Sequence, residues 1–298
     1  MAKTQYEQQL AEDVRNQKGT SYPVKASILE RLFIRKTACS NLHPNAEDEF
    51  THDDVGPSYR IIGEYEEKIR TALRFGNPIM DEPLMVEKLY PKGYLLLNGH
   101  HRWAAAVRCQ VKTVPIKIVN LASDSDIQKI LENSKHDKRV TLDLDEVVFR
   151  DLKDPNTEKQ KSFVLALDSK KKLKKGIPAL FRYLAKNGFD IWVYSSNYYS
   201  IDDVQRFFKA YQVHVDGIIT GAEARKKDNK YAISREKMIS AKYRQTIHVD
   251  NDMLIVTGDL GENGSKFKKY DLNSSPEDWS VKAVEALEQI VAEDGKKQ

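Results

Sequence analysis

Apolar and polar residues alternate through Val140-Thr-Leu-Asp-Leu144, and the pattern predicts a buried strand over residues 140–144 with Asp143 and Asp145 at its end. Side chains on a strand repeat every two residues, which puts these two carboxylates on one side. Comparable apolar density returns in Phe189-Asp-Ile-Trp-Val-Tyr-Ser195, in residues 213–220 and in Gln245-Thr-Ile-His-Val-Asp250, each expected as a strand. Between them the pattern predicts helices. One is opened by Pro178 and ended by Gly188; another is capped by Ser200, with Asp203 completing the capping box, and runs to Tyr211. A last helix, opened by Ser275-Pro-Glu-Asp278, carries Val281, Val284, Leu287, Ile290 and Val291 along one face. Alternating strands and helices predict a three-layer α/β domain on a parallel sheet, with its chemistry at the C-terminal strand ends. Asp143, Ser195 and Asp250 fall there.

The N-terminal half reads as a smaller α+β arrangement. Residues 4–17 predict a short polar helix, an arm. Residues 27–34 are apolar enough to be buried, and residues 59–75 have helical spacing closed by Gly76. Strands are expected at 84–89 and 94–97, turned by Gly93, and at 114–119. Residues 123–133 predict a helix with a capping box at Ser123 and Asp126. The charged stretch His136-Asp-Lys-Arg139 marks a boundary. The expected division is an arm at 1–23, a domain at 24–137 and a domain at 138–298.

Composition narrows the class. The 298 residues are 40% hydrophobic and 31% charged, which suits two ordinary globular domains. No apolar run approaches the roughly 18 residues of a membrane span. The N-terminus lacks an apolar signal core, and two cysteines, Cys39 and Cys109, cannot build a disulfide framework, so a cytoplasmic protein is expected. A net charge of +4 permits phosphorylated partners without requiring them. The basic run at residues 170–175 reads as a solvated face, with nucleic-acid contact as the lesser reading.

Two close carboxylates at a buried sheet edge repel, and a divalent cation or a shared proton resolves the conflict. One carboxylate can then attack an electrophile while its neighbour moves a proton. A second chemical feature is Leu97-Asn-Gly-His-His-Arg102: strand, glycine turn, helix. The first turn of such a helix offers backbone N–H donors and a positive dipole end. His100, His101 and Arg102 add donors beside Gly99, so an anion, phosphate above all, is the expected ligand.

Asp143, Asp145 and Val147 fill the Asp-x-Asp-x-Thr/Val motif of the haloacid dehalogenase (HAD) superfamily, which this half of the chain resembles; Glu146 stands where that family often has Gly. The resemblance implies that Asp143 is a nucleophile forming an aspartyl-phosphate and that Asp145 is the general acid and base. Ser195, or Ser196 in its stead, would bind a phosphoryl oxygen. A lysine, Lys230 before Lys227, would bind the phosphoryl group, and Asp250 would join Asp143 and Asp145 around Mg²⁺. The short gaps between motifs leave no room for a large cap, which implies a bulky phosphorylated substrate or a nucleic-acid end.

Residues 98–119 resemble the ParB/sulfiredoxin superfamily, in a likeness that extends over 24–120. Gly99-His-His-Arg102 is closest to its free-serine kinase branch, which holds nucleotide phosphates at this turn. That resemblance implies ATP or another nucleotide at Gly99, His100, His101 and Arg102, and Glu47 or Glu49 as a kinase base. The function expected is a Mg²⁺-dependent HAD-type phosphohydrolase with an N-terminal nucleotide-binding domain. The alternative is a nucleic-acid-associated ParB-like binding protein whose HAD part is a non-catalytic scaffold.

Overall fold

The computed structural model describes residues 21–52, 54–159, 171–221, 230–258, 267–275 and 278–295, with backbone alone for 230–234. The expected helix at 4–17, residues 163–167, whose apolar pattern predicts a short strand, and the lysines 226 and 227 that precede Lys230 lie outside these residues. The chain divides into two compact units, Met1–Asn120 and Leu121–Gln298.

In the first unit, β1 (Tyr22–Val24), α1 (Ile28–Arg31), β2 (Arg35–Ala38) and β3 (Leu42–Pro44) precede the long helix α2 (Tyr59–Phe75). Then come β4 (Leu84–Tyr90), β5 (Tyr94–Asn98), α3 (His100–Arg108) and β6 (Thr113–Ile118). The strands form one mixed sheet in the order β2-β6-β4-β5-β3, with β1 paired to β4. Helix α2 stops where expected, at Gly76, whose φ of 70° is the left-handed conformation that a side chain resists. The core joins Ile62 and Ile69 to Leu84, Val86, Leu96, Val114, Ile116 and Ile118. Ala104, Ala105 and Ala106 are all fully buried, and their small side chains bring α3 close to that core. Residues 27–34 depart from expectation. A Ser27–Glu30 capping box winds only one turn of helix, and Leu29, Phe33 and Ile34 are more than 60% exposed.

The second unit begins with α4 (Asp124–Asn133), capped by Ser123 and Asp126 as expected. It continues through β7 (Lys138–Asp143), β8 (Phe149–Asp151), β9 (Lys171–Leu173), α5 (Ile177–Lys186), β10 (Phe189–Ser195) and α6 (Ile201–Ala210). The remaining elements are β11 (Gly217–Thr220), α7 (Lys230–Lys242), β12 (Gln245–Val249), β13 (Met253–Gly258), β14 (Phe267–Asp271) and α8 (Trp279–Gly295). Its main sheet has the order β11-β10-β7-β12-β13-β14. The first four strands are parallel; β13 and β14 are added antiparallel. The sheet is therefore mixed rather than parallel throughout, because the short turn after Asp250 folds Leu254-Ile-Val256 straight back beside β12.

One sheet face packs Phe181, Val204, Phe208, Leu287 and Ile290 against Val140, Leu142, Ile191, Val193 and Ile247. The other packs Trp192 and Ile219 against Ile127, Leu131, Ile239 and Tyr243. Helices α4 and α7 thus cover the second face, which is why α4 belongs to this unit although the charge pattern sets the boundary after it. In α8 the buried line runs through Ala283, Ala286, Leu287 and Ile290, while Val281 is exposed. The expected stripe is rotated, since a close helix–sheet contact admits alanine where the larger valine is left outside.

Candidate functional site

Strand β7 ends at Asp143, and the next five residues, Leu144–Val148, form a π-helical turn. The period-two argument stops there. Asp143 caps the turn, its Oδ1 accepting the N–H groups of Asp145 (2.7 Å) and Glu146 (2.9 Å). Asp145 instead faces the end of the neighbouring strand β10. Its Oδ2 accepts the hydroxyl of Ser195 at 2.5 Å and its Oδ1 that of Tyr199 at 2.6 Å. Each of the two carboxylates thus accepts its own set of donors. Ser195 is buried and its Oγ also accepts Asn197 N–H, while Ser196 is exposed. Tyr199 leans edge-on against Phe149 and is the group that the sequence pattern does not reveal. The missed signal is its place four residues after the strand-ending Ser195.

Asp250 follows β12, the strand on the other side of β7, so Asp143, Ser195 and Asp250 do lie at the C-terminal ends of three adjacent parallel strands. Asp250 is exposed, and its Oδ1 accepts Asn251 N–H. Among the described residues no group of three or more His, Cys, Asp or Glu side chains is placed to hold a metal ion. The expected Mg²⁺ set of Asp143, Asp145 and Asp250 therefore does not assemble. The oxygen chemistry suits the ion, but one carboxylate is turned to hydroxyls and the other two to their own turns. Lys230 is the first residue of α7, and its side chain lies outside the described residues.

A different lysine reaches this end of the sheet. Lys174, in the basic run expected to be solvated, is only 3% exposed. Its Nζ donates to Asn251 Oδ1 (2.9 Å) and sits 3.5 Å from the centre of the Trp279 ring. Arg150 donates from Nη2 to the same oxygen (3.2 Å), while Asn251 Nδ2 donates to the Glu146 carbonyl (3.0 Å). Burial, aided by Arg150, lowers Lys174 from the usual lysine range to about 7; Asp154, Asp252 and Asp250 oppose that shift. Sequence spacing favours lysines nearer β12. Lys174 is brought in by the β8–β9 hairpin (Phe149↔Leu173), a pairing that spacing does not announce.

In the first unit, Gly99 opens α3 at φ 96°, and a Cβ there would meet Leu84 Cδ2 at 2.5 Å and Arg102 Nη2 at 3.0 Å. The side chains expected to meet phosphate are engaged with the protein. His100 is buried, its Nε2 accepting Asn45 N–H (3.2 Å) and its Nδ1 lying 3.4 Å from Asp48 Oδ2. Burial holds it well below the usual histidine range, at about 4. His101 Nε2 accepts Ser58 N–H (3.1 Å), and its ring meets Phe50 edge-on. Burial lowers its pKa too. Two neutral acceptors thus staple the segment from Asn45 to Ser58 onto the start of α3, and neither is a cationic phosphate donor. Arg102 Nη1 donates to the Glu82 carbonyl at 2.8 Å. Glu47 is exposed, and the carboxylate beside His100 is that of Asp48.

Comparison with known proteins bears on part of this picture. The family described as ParB N-terminal domain matches residues 67–134, from the second half of α2 through α4. Among solved structures, the chain is similar to the C-terminally truncated chromosome-partitioning protein ParB from Caulobacter crescentus complexed with CTP-gamma-S. The identity is 24% over 34% of this chain and 52% of that one, with a TM-score of 0.24. The likeness spans about half the length of that protein. No curated protein matches. No helix among the described residues is long and apolar enough to cross a membrane.

Proposed function

We propose that the second unit is a phosphoryl-transfer enzyme of the HAD type and that the first is a ParB-like nucleotide-binding unit. The observation that carries the enzymatic reading is the convergence of Asp143, Asp145 and Ser195 at the ends of two adjacent parallel strands, with Asp250 on a third. Among the described residues Asp143 Oδ1 is occupied by two N–H groups, which orients Oδ2 for attack on phosphorus. The Asp143–phosphoryl bond forms as the bond to the leaving oxygen breaks, and Asp145 supplies that oxygen's proton. Asp145 then takes a proton from water, which attacks the aspartyl-phosphate and releases phosphate. Ser195 and Tyr199 hold Asp145 in place for both steps. No step is assigned to a metal ion. The four parallel strands, with acidic residues at the C-terminal ends of β7 and β12, support this assignment.

In the first unit the nucleotide, ATP or CTP, is assigned to the start of α3. Its phosphates would meet the backbone N–H groups beyond Gly99, where the dipole end is positive. The family match, which includes Asn98–Arg102, supports this placement. That same match favours a second reading, a nucleic-acid-associated binding protein with an inactive second unit. Hydrolysis of a panel of phosphorylated compounds by the full chain and by Asp143→Asn, with and without Mg²⁺, separates the two. Turnover lost in the variant supports the enzyme. Turnover that survives it refutes the assignment of Asp143, and no turnover in either leaves the binding reading in possession.

A further inference from the structure

An aspartate–histidine pair lies at the opposite end of the parallel sheet from Asp143. His136 precedes β7, and Asp190 is the second residue of β10, whose first residue, Phe189, stands opposite Lys138. His136 Nδ1 is 2.7 Å from Asp190 Oδ1. Asp190 Oδ2 accepts the hydroxyl of Ser134 and, at 2.6 Å, that of Tyr243, whose oxygen in turn accepts Trp192 Nε1–H at 3.0 Å. The aspartate side chain is 4% exposed and the imidazole 42%. A carboxylate ringed by donors serves as an acceptor, so Nδ1 carries the proton that joins the pair. In the uncharged ring the lone pair then sits on Nε2.

Among the described residues Nε2 has no hydrogen-bond partner. A Cβ on Gly188 would lie 3.7 Å from Cδ2, the carbon beside Nε2, so the glycine leaves that edge of the ring open. The surroundings favour an anion. Lys135 is the exposed chain neighbour of His136, and Lys242 Nζ donates to the Ser134 carbonyl at 2.9 Å. The nearby carboxylate of Asp137 is tied to Arg244 Nε at 3.1 Å. His100, His101, His214 and His248 lack this arrangement. The first two spend Nε2 on backbone N–H groups, and His248 Nδ1 meets Thr141 Oγ1 at 2.7 Å. His214, 83% exposed, turns Nε2 itself toward Asp216.

We propose that His136 is a phosphoryl-acceptor site, modified at Nε2 by a donor of the phosphoramidate class. The Nε2 lone pair attacks phosphorus, and the Nε2–P bond forms as the donor's P–N bond breaks. The donor's nitrogen, already fully protonated, leaves as ammonia with the bonding pair. Nδ1 keeps its proton, and Asp190 balances the positive charge that the ring gains, as a buried aspartate does for a histidine that turns into an imidazolium. The site is separate from Asp143, which lies at the far end of the six-residue strand β7, and it does not depend on turnover there.

The test incubates the full chain with phosphoramidate near neutral pH, follows the product by phosphorus NMR and maps it by mass spectrometry. Phosphohistidine is acid-labile and alkali-stable, which sets it apart from an acyl-phosphate on Asp143. Label should appear at His136 as the Nε2 isomer, about tenfold or more faster than at the more exposed His214. His136→Gln should remove it, and Asp190→Asn should slow it by roughly 10–100-fold through the lost charged hydrogen bond. Comparable labelling of His136 and His214 overturns the proposal, as does the Nδ1 isomer at His136 or no label at all. An unchanged rate in a folded Asp190→Asn overturns it too. Where that variant does not fold, the site and the isomer found in the wild type decide.

Discussion

Ser195 donates its hydroxyl to Asp145 Oδ2 at 2.5 Å, joining the end of β10 to the turn that follows β7. Because those strands are parallel neighbours, with Tyr194 opposite Asp143, a hydroxyl at the end of one reaches a carboxylate just past the end of the other. The bond fixes which aspartate faces the sheet's neighbour and leaves Asp143 to its own turn.

Asp143→Asn should abolish turnover, since an amide cannot serve as the nucleophile, while Asp145→Asn should lower kcat by roughly 10²–10⁴-fold through lost proton transfer. Single-turnover assays trapping the acyl-phosphate check the order of events. Labelled phosphate should attach to the wild type and never to Asp143→Asn. An unchanged rate in Asp143→Asn would exclude it as nucleophile.

Tyr199→Phe removes one of the two hydroxyls on Asp145 and keeps the ring against Phe149. A hydrogen bond to a charged group contributes about 1.5–3 kcal/mol, so kcat should fall by roughly 10–100-fold, with KM little changed. Parallel losses in kcat and in thermal stability would instead make Tyr199 a packing residue.

His100 makes the first unit acid-sensitive. Burial sets its folded pKa at about 4, below the ordinary value near 6.5, so between these limits the unfolded chain binds more protons. Its contribution is complete above about pH 6.5 and is lost as pH falls toward 4, by up to roughly 3 kcal/mol. Denaturant midpoints of the first unit across that window should decline toward acid, and His100→Gln should flatten the slope. A wild-type slope of zero contradicts the burial.

Arg102→Lys separates ligand binding from local architecture. The guanidinium holds the Glu82 carbonyl, so the variant should lose about 1 kcal/mol of stability. Gly99→Ala should lose more, roughly 1–3 kcal/mol, because a Cβ at φ 96° meets Leu84 and Arg102. It should also weaken ATP or CTP binding by crowding the approach to the helix start. Nucleotide affinity measured by calorimetry decides: if Arg102→Lys reduces affinity with an unmoved melting temperature, the guanidinium belongs to the ligand after all.

Much of the second unit is legible along the chain. Its apolar runs are long, its helices start at Pro178 and Ser200, and the runs closing at Asp143, Ser195, Thr220 and Asp250 each end in a polar residue, so Asp143, Ser195 and Asp250 can be placed at one end of a sheet from the sequence. Local chemistry suffices for such features because each depends on neighbours a few residues away. Even so, Ser200 caps its helix without a side-chain hydrogen bond, and Asp203 pairs with Arg206 instead. The π-turn after Asp143 breaks the strand alternation that would have aligned the two carboxylates. The hairpin that buries Lys174 pairs residues 24 apart, Phe149 with Leu173. His100 and His101 look like phosphate donors until the segment from Asn45 to Ser58 folds over them and takes both as acceptors. A sequence determines which donors and charges exist. Whether each faces solvent, ligand or another part of the chain is decided by long-range contacts, because burial and partner, rather than residue type, set protonation and availability.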